Sequence, residues 1–306
     1  MMLNHYVEAG EANNIPTINW DLIDVCQYRC SYCYNEELIN KEEYKLGLHQ
    51  SAWKLALRKL KNLKFNFKVA IHGGEPTLHP ELYNIVSELE ALSHCVSVVV
   101  TSNITADDET YLQFDRPGSK VAIHLSYHPE YHRKIFNKIV RITNKIKHID
   151  VWAGAVIHPK VEYYDQMIEF LEAMKDINIK LHVVAPNKTN HWQEEGDDKY
   201  YELFGPYIEK SKTSFTYKHV TDLGNIEYIP EYDLIRNNNG YQGWQCQALS
   251  YTIGVDGTII NNCTKQRLPM LIKESDVKKF VTCPQSDLCY CSEMFIYKKY
   301  KNVNPT

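Results

Sequence analysis

The chain has 306 residues, of which 44% are hydrophobic and 24% charged, and a formal net charge of −4. That length can bury a substantial core in one large domain or two, and the composition excludes wholesale disorder. The mildly acidic balance gives no general pull toward nucleic acid, and neither an export signal nor an apolar run near ~20 residues is present, so a cytoplasmic protein without nucleic-acid or membrane partners is expected.

Residues 1–17 read as an N-terminal extension and residues 18–190 as the main scaffold. A first strand precedes "VCQYRCSYCY" (25–34), which concentrates Cys26, Cys30 and Cys33. "SAWKLALRKLKNL" (51–63) has helical period, "FKVAIH" (67–72) is a strand, and "GGEPT" (73–77) follows it. A helix over 80–92 leads to the strand "VSVVVTSN" (96–103), with Cys95 before it as a small core thiol. The strand "KVAIHLSYH" (120–128) comes next, then a basic helix over 131–147 whose lysines and arginines form a solvated face. The strand at 150–158, the helix at 162–176 and the strand at 179–186 complete the alternation. Six βα units imply a parallel sheet and an open, partial (β/α)6 TIM-like barrel in an α/β fold. Polar, turn-rich residues 191–243 suit a bridge, and residues 244–306 a small cysteine-rich domain in which Asp256-Gly257 turns a hairpin.

Period two sharpens the picture of the barrel. In the strand at 120–128, Val121, Ile123, Leu125 and Tyr127 share one face and should meet the helices; His124, Ser126 and His128 share the other. His72, His158 and His182 also lie in strands or at their ends, so a histidine-rich interior is expected.

Nine cysteines in a cytoplasmic chain favour metal ligation over disulfides. Three thiolates on an Fe4S4 cube leave one iron open, whereas zinc would require a fourth ligand such as a histidine. Cys26-x3-Cys30-x2-Cys33, with Tyr32 before the last cysteine and "GGEPT" at the end of the next strand, resembles the radical S-adenosylmethionine (SAM) superfamily. The resemblance implies a 4Fe-4S cluster on these three cysteines whose open iron is chelated by the amino and carboxylate groups of SAM. It implies that the Gly73-Gly74 backbone closely approaches the SAM ammonium, that Glu75 adds a carboxylate or orients the turn, and that Pro76 fixes its exit. Ser102, Asn103 and Ser126 stand where the family contacts ribose or carboxylate, although "TSN" departs from the commoner Thr-Asn-Gly. The reaction implied is reductive cleavage of SAM to a 5′-deoxyadenosyl radical that abstracts hydrogen from substrate, with an electron donor such as flavodoxin or ferredoxin.

"CQALSYTIGVDGTIINNC" (246–263) and "CPQSDLCYC" (283–291) resemble the SPASM or twitch extensions of that superfamily, in a shortened form with one auxiliary 4Fe-4S cluster. The hairpin should bring Cys246 near Cys263; with Cys289 and Cys291 they form the expected ligand set, Cys283 being the rival fourth, and a four-thiolate zinc site is the alternative. Such relatives imply oxidation or crosslinking of a peptide or small metabolite. With about 17 residues ahead of the first strand, no leader-binding module is expected. A non-catalytic iron–sulfur or zinc protein on a barrel scaffold is the competing class.

Overall fold

The computed structural model describes residues 5–9, 15–33, 52–131, 135–156, 158, 160–175, 180–184, 203–204, 207, 216–220, 226–230, 242–268, 272–283 and 299–301. In chain order the elements are β1 (His5–Ala9), β2 (Thr17–Ile23), α1 (Ala52–Lys61), β3 (Phe67–Gly73), α2 (Leu82–Glu90), β4 (Cys95–Ser102), α3 (Asp108–Leu112), β5 (Val121–Tyr127), α4 (Phe136–Lys145), β6 (Asp150–Val156), α5 (Tyr164–Lys175) and β7 (Lys180–Val184). Thereafter come β8 (Thr216–Val220), β9 (Ile226–Pro230), β10 (Gln245–Gln247), β11 (Ser250–Ile253), β12 (Ile259–Asn261), β13 (Arg267–Leu268), α6 (Glu274–Val277), β14 (Phe280–Thr282) and β15 (Lys299–Lys301).

β2 to β7 lie side by side in sequential order, each parallel to the next, as six βα units require. α1 buries Trp53, Ala56, Leu57 and Leu60, and α2 buries Leu82, Ile85, Val86 and Leu89, the i, i+3, i+4, i+7 stripe of a helix lying on a sheet. These meet Ile18, Trp20, Val69, Ile71, Val98 and Val100 in a single core. Each fully buried aliphatic side chain contributes roughly 1.5–3 kcal/mol. The faces of β5 divide as period two requires: Val121, Ile123, Leu125 and Tyr127 are buried, and Tyr127 stacks on Phe170 of α5 with centroids 4.0 Å apart.

Four features were not legible in the chain. A short helix, α3, stands between β4 and β5 where no helix was expected. Arg141 and Lys145 on the basic face of α4 reach across to Asp108 of α3 at 2.6 and 3.0 Å, so part of that face is a clamp rather than merely solvated. The β11–β12 hairpin does not stand apart from the barrel: β11 runs parallel to β2, from Ser250 beside Thr17 to Ile253 beside Trp20. One nine-stranded sheet therefore runs β13-β12-β11-β2-β3-β4-β5-β6-β7. A second sheet, β14-β10-β15-β1-β8-β9, is antiparallel throughout and includes strands from the N-terminal stretch and from the expected bridge.

Candidate functional site

At the end of β2 the chain enters the loop carrying Cys26, Cys30 and Cys33, all of them thiols rather than disulfides. Cys33 N–H donates to the Cys30 carbonyl at 3.1 Å, turning the chain so that the last two cysteines stay close in sequence and space. Cys26 Sγ accepts from Tyr28 N–H at 3.4 Å and from Asn103 Nδ2 at 3.6 Å, and Cys30 Sγ lies 3.4 Å from His128 Nδ1. Burial pushes the Cys30 thiol up to about 12, with the nearby Glu130 carboxylate adding to the effect, and burial raises Cys26 as well. Burial thus favours the protonated form of Cys26 and Cys30, and ligation by them must release protons.

Gly73 and Gly74 explain themselves by space. A Cβ on Gly73, whose φ is +125°, would sit 2.1 Å from the Ile23 carbonyl oxygen, and one on Gly74 would sit 2.2 Å from that of Val25. The turn lies directly on the chain leaving β2, through Gly74 N–H to Ile23 O at 2.6 Å and Glu75 N–H to Val25 O at 2.8 Å. The two glycines let the backbone of the turn pack directly on the backbone of residues 23–25.

Glu75 is 1% exposed, and its carboxylate accepts from Thr77 N–H, Thr77 Oγ1, Ser102 Oγ and Asn103 N–H at 3.0, 2.6, 2.9 and 2.7 Å. These hydrogen bonds tie the turn to the end of β4. Burial pushes its pKa up against the pull of those hydrogen bonds. Pro76 opens a single 3-10 turn, Pro76–Leu78, capped by Glu75. The Ser102 hydroxyl is buried between Glu75 and the Tyr111 hydroxyl, 2.9 Å from each. Asn103 instead faces Cys26, and Ser126 is half-buried on β5 beside Gly154.

The expected histidines divide into two groups. His72 of β3 stands beside Asp21 of β2, and His124 of β5 beside Thr101 of β4 and Trp152 of β6, all on the inner face. The His124 ring occupies the space above Gly154, whose added Cβ would fall 1.9 Å from Nε2. Burial pushes His72 down to about 4 and Asp21 up to about 6. His128 and His158 serve the cysteine loop: Tyr32 OH is 2.7 Å from His128 Nδ1, and Tyr32 packs edge-on to His158. Sequence reasoning missed Asp21, Tyr28, Glu130 and Tyr131; period two along "INWDLI" could have flagged Asp21. The side chain of His182 lies outside the described residues.

In the C-terminal region Cys246 lies in β10, opposite Val281 of β14. Cys283 N–H donates to Trp244 O at 2.8 Å, which places Cys283 diagonally from Cys246 on the same face of this strand pair. Both are buried. Cys263 follows β12, its N–H held by Asn261 Oδ1 at 3.0 Å. The hairpin itself spans β11 and β12, so Cys246 belongs to the neighbouring sheet rather than to the hairpin's own end. Cys289 and Cys291 lie outside the described residues. Among the described residues no three His, Cys, Asp or Glu side chains are grouped to hold a single metal ion.

Residues 20–195 match the family model of the radical SAM superfamily. A GTP 3′,8-cyclase from Microcystis aeruginosa is 27% identical over 154 residues, which are 46% of this chain and 43% of that protein. A S-adenosylmethionine-dependent nucleotide dehydratase from Lacinutrix mariniflava is 26% identical over 121 residues, 37% of this chain and 25% of that protein. Less than half the length of either relative is thus matched. Among solved structures, anSMEcpe with bound AdoMet superposes with a TM-score of 0.55 at 16% identity over 87% of this chain and 80% of that one. Streptococcus suis SuiB bound to precursor peptide SuiA gives 0.53 at 17% identity over 83% and 62%. These likenesses show the fold. The family match spans more than half of the chain and contains both the cysteine loop and the turn packed on it, so the protein belongs to the radical SAM superfamily.

Proposed function

We propose that this protein is a radical SAM enzyme acting on a peptide or small metabolite, in which Cys26, Cys30 and Cys33 hold the 4Fe-4S cluster that membership of the family implies. The carrying observation is the docking of the three-thiol loop on "GGEPT" by backbone contacts that glycine alone permits. The donor set fits the group: three cysteine thiols, ligating as soft thiolates once deprotonated, suit an iron–sulfur cluster. Cluster and SAM, when bound, supply one-electron cleavage of the sulfonium and hydrogen abstraction. The chain's own part is placement. Asn103 Nδ2 directs a hydrogen bond at Cys26 Sγ, and Tyr32 is fixed between two histidines.

The inner face suggests the substrate class. Asp21, His72, Thr101 and His124 form a polar patch there, and the Thr101 hydroxyl has no hydrogen-bond partner. Asp21 can hold or release a proton near neutral pH. A peptide or small metabolite can meet the hydrogen-bonding groups of Asp21, His72, Thr101 and His124 there. Cys246 and Cys283, sharing a face, support an auxiliary 4Fe-4S cluster with Cys263 and one of Cys289 or Cys291, and a flavodoxin or ferredoxin as electron donor completes the reading.

The test is direct. Anaerobically reconstituted protein given SAM and dithionite should form 5′-deoxyadenosine, and Cys30→Ala should abolish it. Iron-loaded protein that leaves SAM intact would overturn the proposal.

A further inference from the structure

The loop that carries the three cysteines has no regular secondary structure, so its backbone groups need partners elsewhere. Two of these are provided by the turn Pro129–Tyr131, which follows β5. Arg29 N–H donates to Tyr131 OH at 2.7 Å, and Ser31 N–H to the Glu130 carboxylate oxygens at 3.1 and 3.0 Å. These contacts bracket Cys30 on either side. The Ser31 hydroxyl also donates to Glu130, and Tyr28 stacks on Tyr131 with centroids 4.1 Å apart and planes 7° from parallel.

Glu130 is in turn fixed by His158, which follows β6. His158 is fully buried, and its Nδ1 accepts from Lys160 N–H at 3.0 Å, so its proton sits on Nε2 and is donated to Glu130 Oε1 at 2.7 Å. Burial works against ionisation of this carboxyl, yet the hydrogen bonds from Ser31 and His158 prevail and hold it below the usual carboxylate range. A negative charge here does nothing to favour thiolates; it opposes them. Its value lies in geometry: one carboxylate ties the cysteine loop to the ends of two other strands.

The geometry points to Glu130 as a positioning residue that pre-forms the three-cysteine loop for its cluster, acting through Ser31 and anchored by His158. This rests on the proposed assignment of the cluster to that loop. Pre-forming the site lowers the ordering cost of cluster binding and slows its loss, as partners of metal ligands do elsewhere.

The test compares reconstituted parent, Glu130→Ala and Glu130→Gln under anaerobic conditions, following removal of the cluster by EDTA. The readout is the part of the reduced cluster's electron paramagnetic resonance signal that changes on adding SAM. Glu130→Ala should lose this signal about tenfold faster than the parent, with circular dichroism unchanged. Glu130→Gln retains an acceptor for Ser31 N–H and should stay within about threefold of the parent. Should the alanine variant not fold, Glu130→Asp decides, since it keeps the charge but falls one methylene short and should also lose signal faster. Parent-like loss in Ala or Asp, or loss in Gln as fast as in Ala, overturns the inference. A parent without any SAM-responsive signal would instead refute the cluster assignment itself.

Discussion

At Gly74 the room for a side chain is already taken by the carbonyl of Val25, 2.2 Å from where a Cβ would stand. If Gly74 served only a close approach to SAM, Gly74→Val would weaken SAM binding while sparing the cluster. The geometry predicts a more severe result. Even Gly74→Ala should unseat the turn from residues 23–25 and lower both iron retention after reconstitution and SAM binding, read by iron assay and equilibrium dialysis. A variant with full iron and weakened SAM affinity alone would show that Gly74 serves SAM and not the seating of the turn. Glu75 is a brace for "GGEPT" and for the end of β4 through its four hydrogen bonds.

Between strands, register collects residues that the linear chain keeps far apart. Asp21 and His72 are 51 positions apart yet directly paired across β2 and β3. Burial raises the Asp21 pKa to about 6. The folded state therefore binds more protons than the unfolded state between about pH 4 and pH 6, so this group's contribution falls as pH rises through that window and stays unfavourable above it. Asp21→Asn should accordingly raise stability at pH 8, by up to about 3 kcal/mol, and give little change near pH 4. Denaturant unfolding at the two pH values checks it; equal effects at both would show that Asp21 is not desolvated as described. Such a gain at the cost of activity would fit a substrate-facing carboxylate.

For the whole molecule, the continuous sheet from β13 to β7 binds the C-terminal hairpin to the barrel through β11 and β2. β2 is also the strand that leads into the three-cysteine loop. If the auxiliary cluster forms, reconstituted protein should hold about eight irons, and replacing Cys26, Cys30 and Cys33 together should leave about four. Because Cys246 and Cys283 share a face, Cys283→Ala should reduce iron to about four, where a spare thiol would leave it near eight. Iron near four in the parent with stoichiometric zinc would sink the second cluster and favour the zinc site.

The chain by itself determined the alternation of six strands and their helices, because apolar residues at periods of two and 3.6 are local facts. It also determined the three-cysteine loop and its glycine-rich companion, since both are contiguous motifs. Asp256-Gly257 announced its hairpin, where Gly257 has φ +75°. The tertiary structure alone decided what those motifs touch. Short α3 has too few residues to show a period, and its partner residues Arg141 and Lys145 lie more than 30 positions away. Glu130 and His158 look like ordinary polar residues after strands until parallel pairing brings both strand ends to the cysteine loop. Hydrophobic periodicity is written residue by residue; a carboxylate's partners are fixed by the order and register of strands, which no single segment contains.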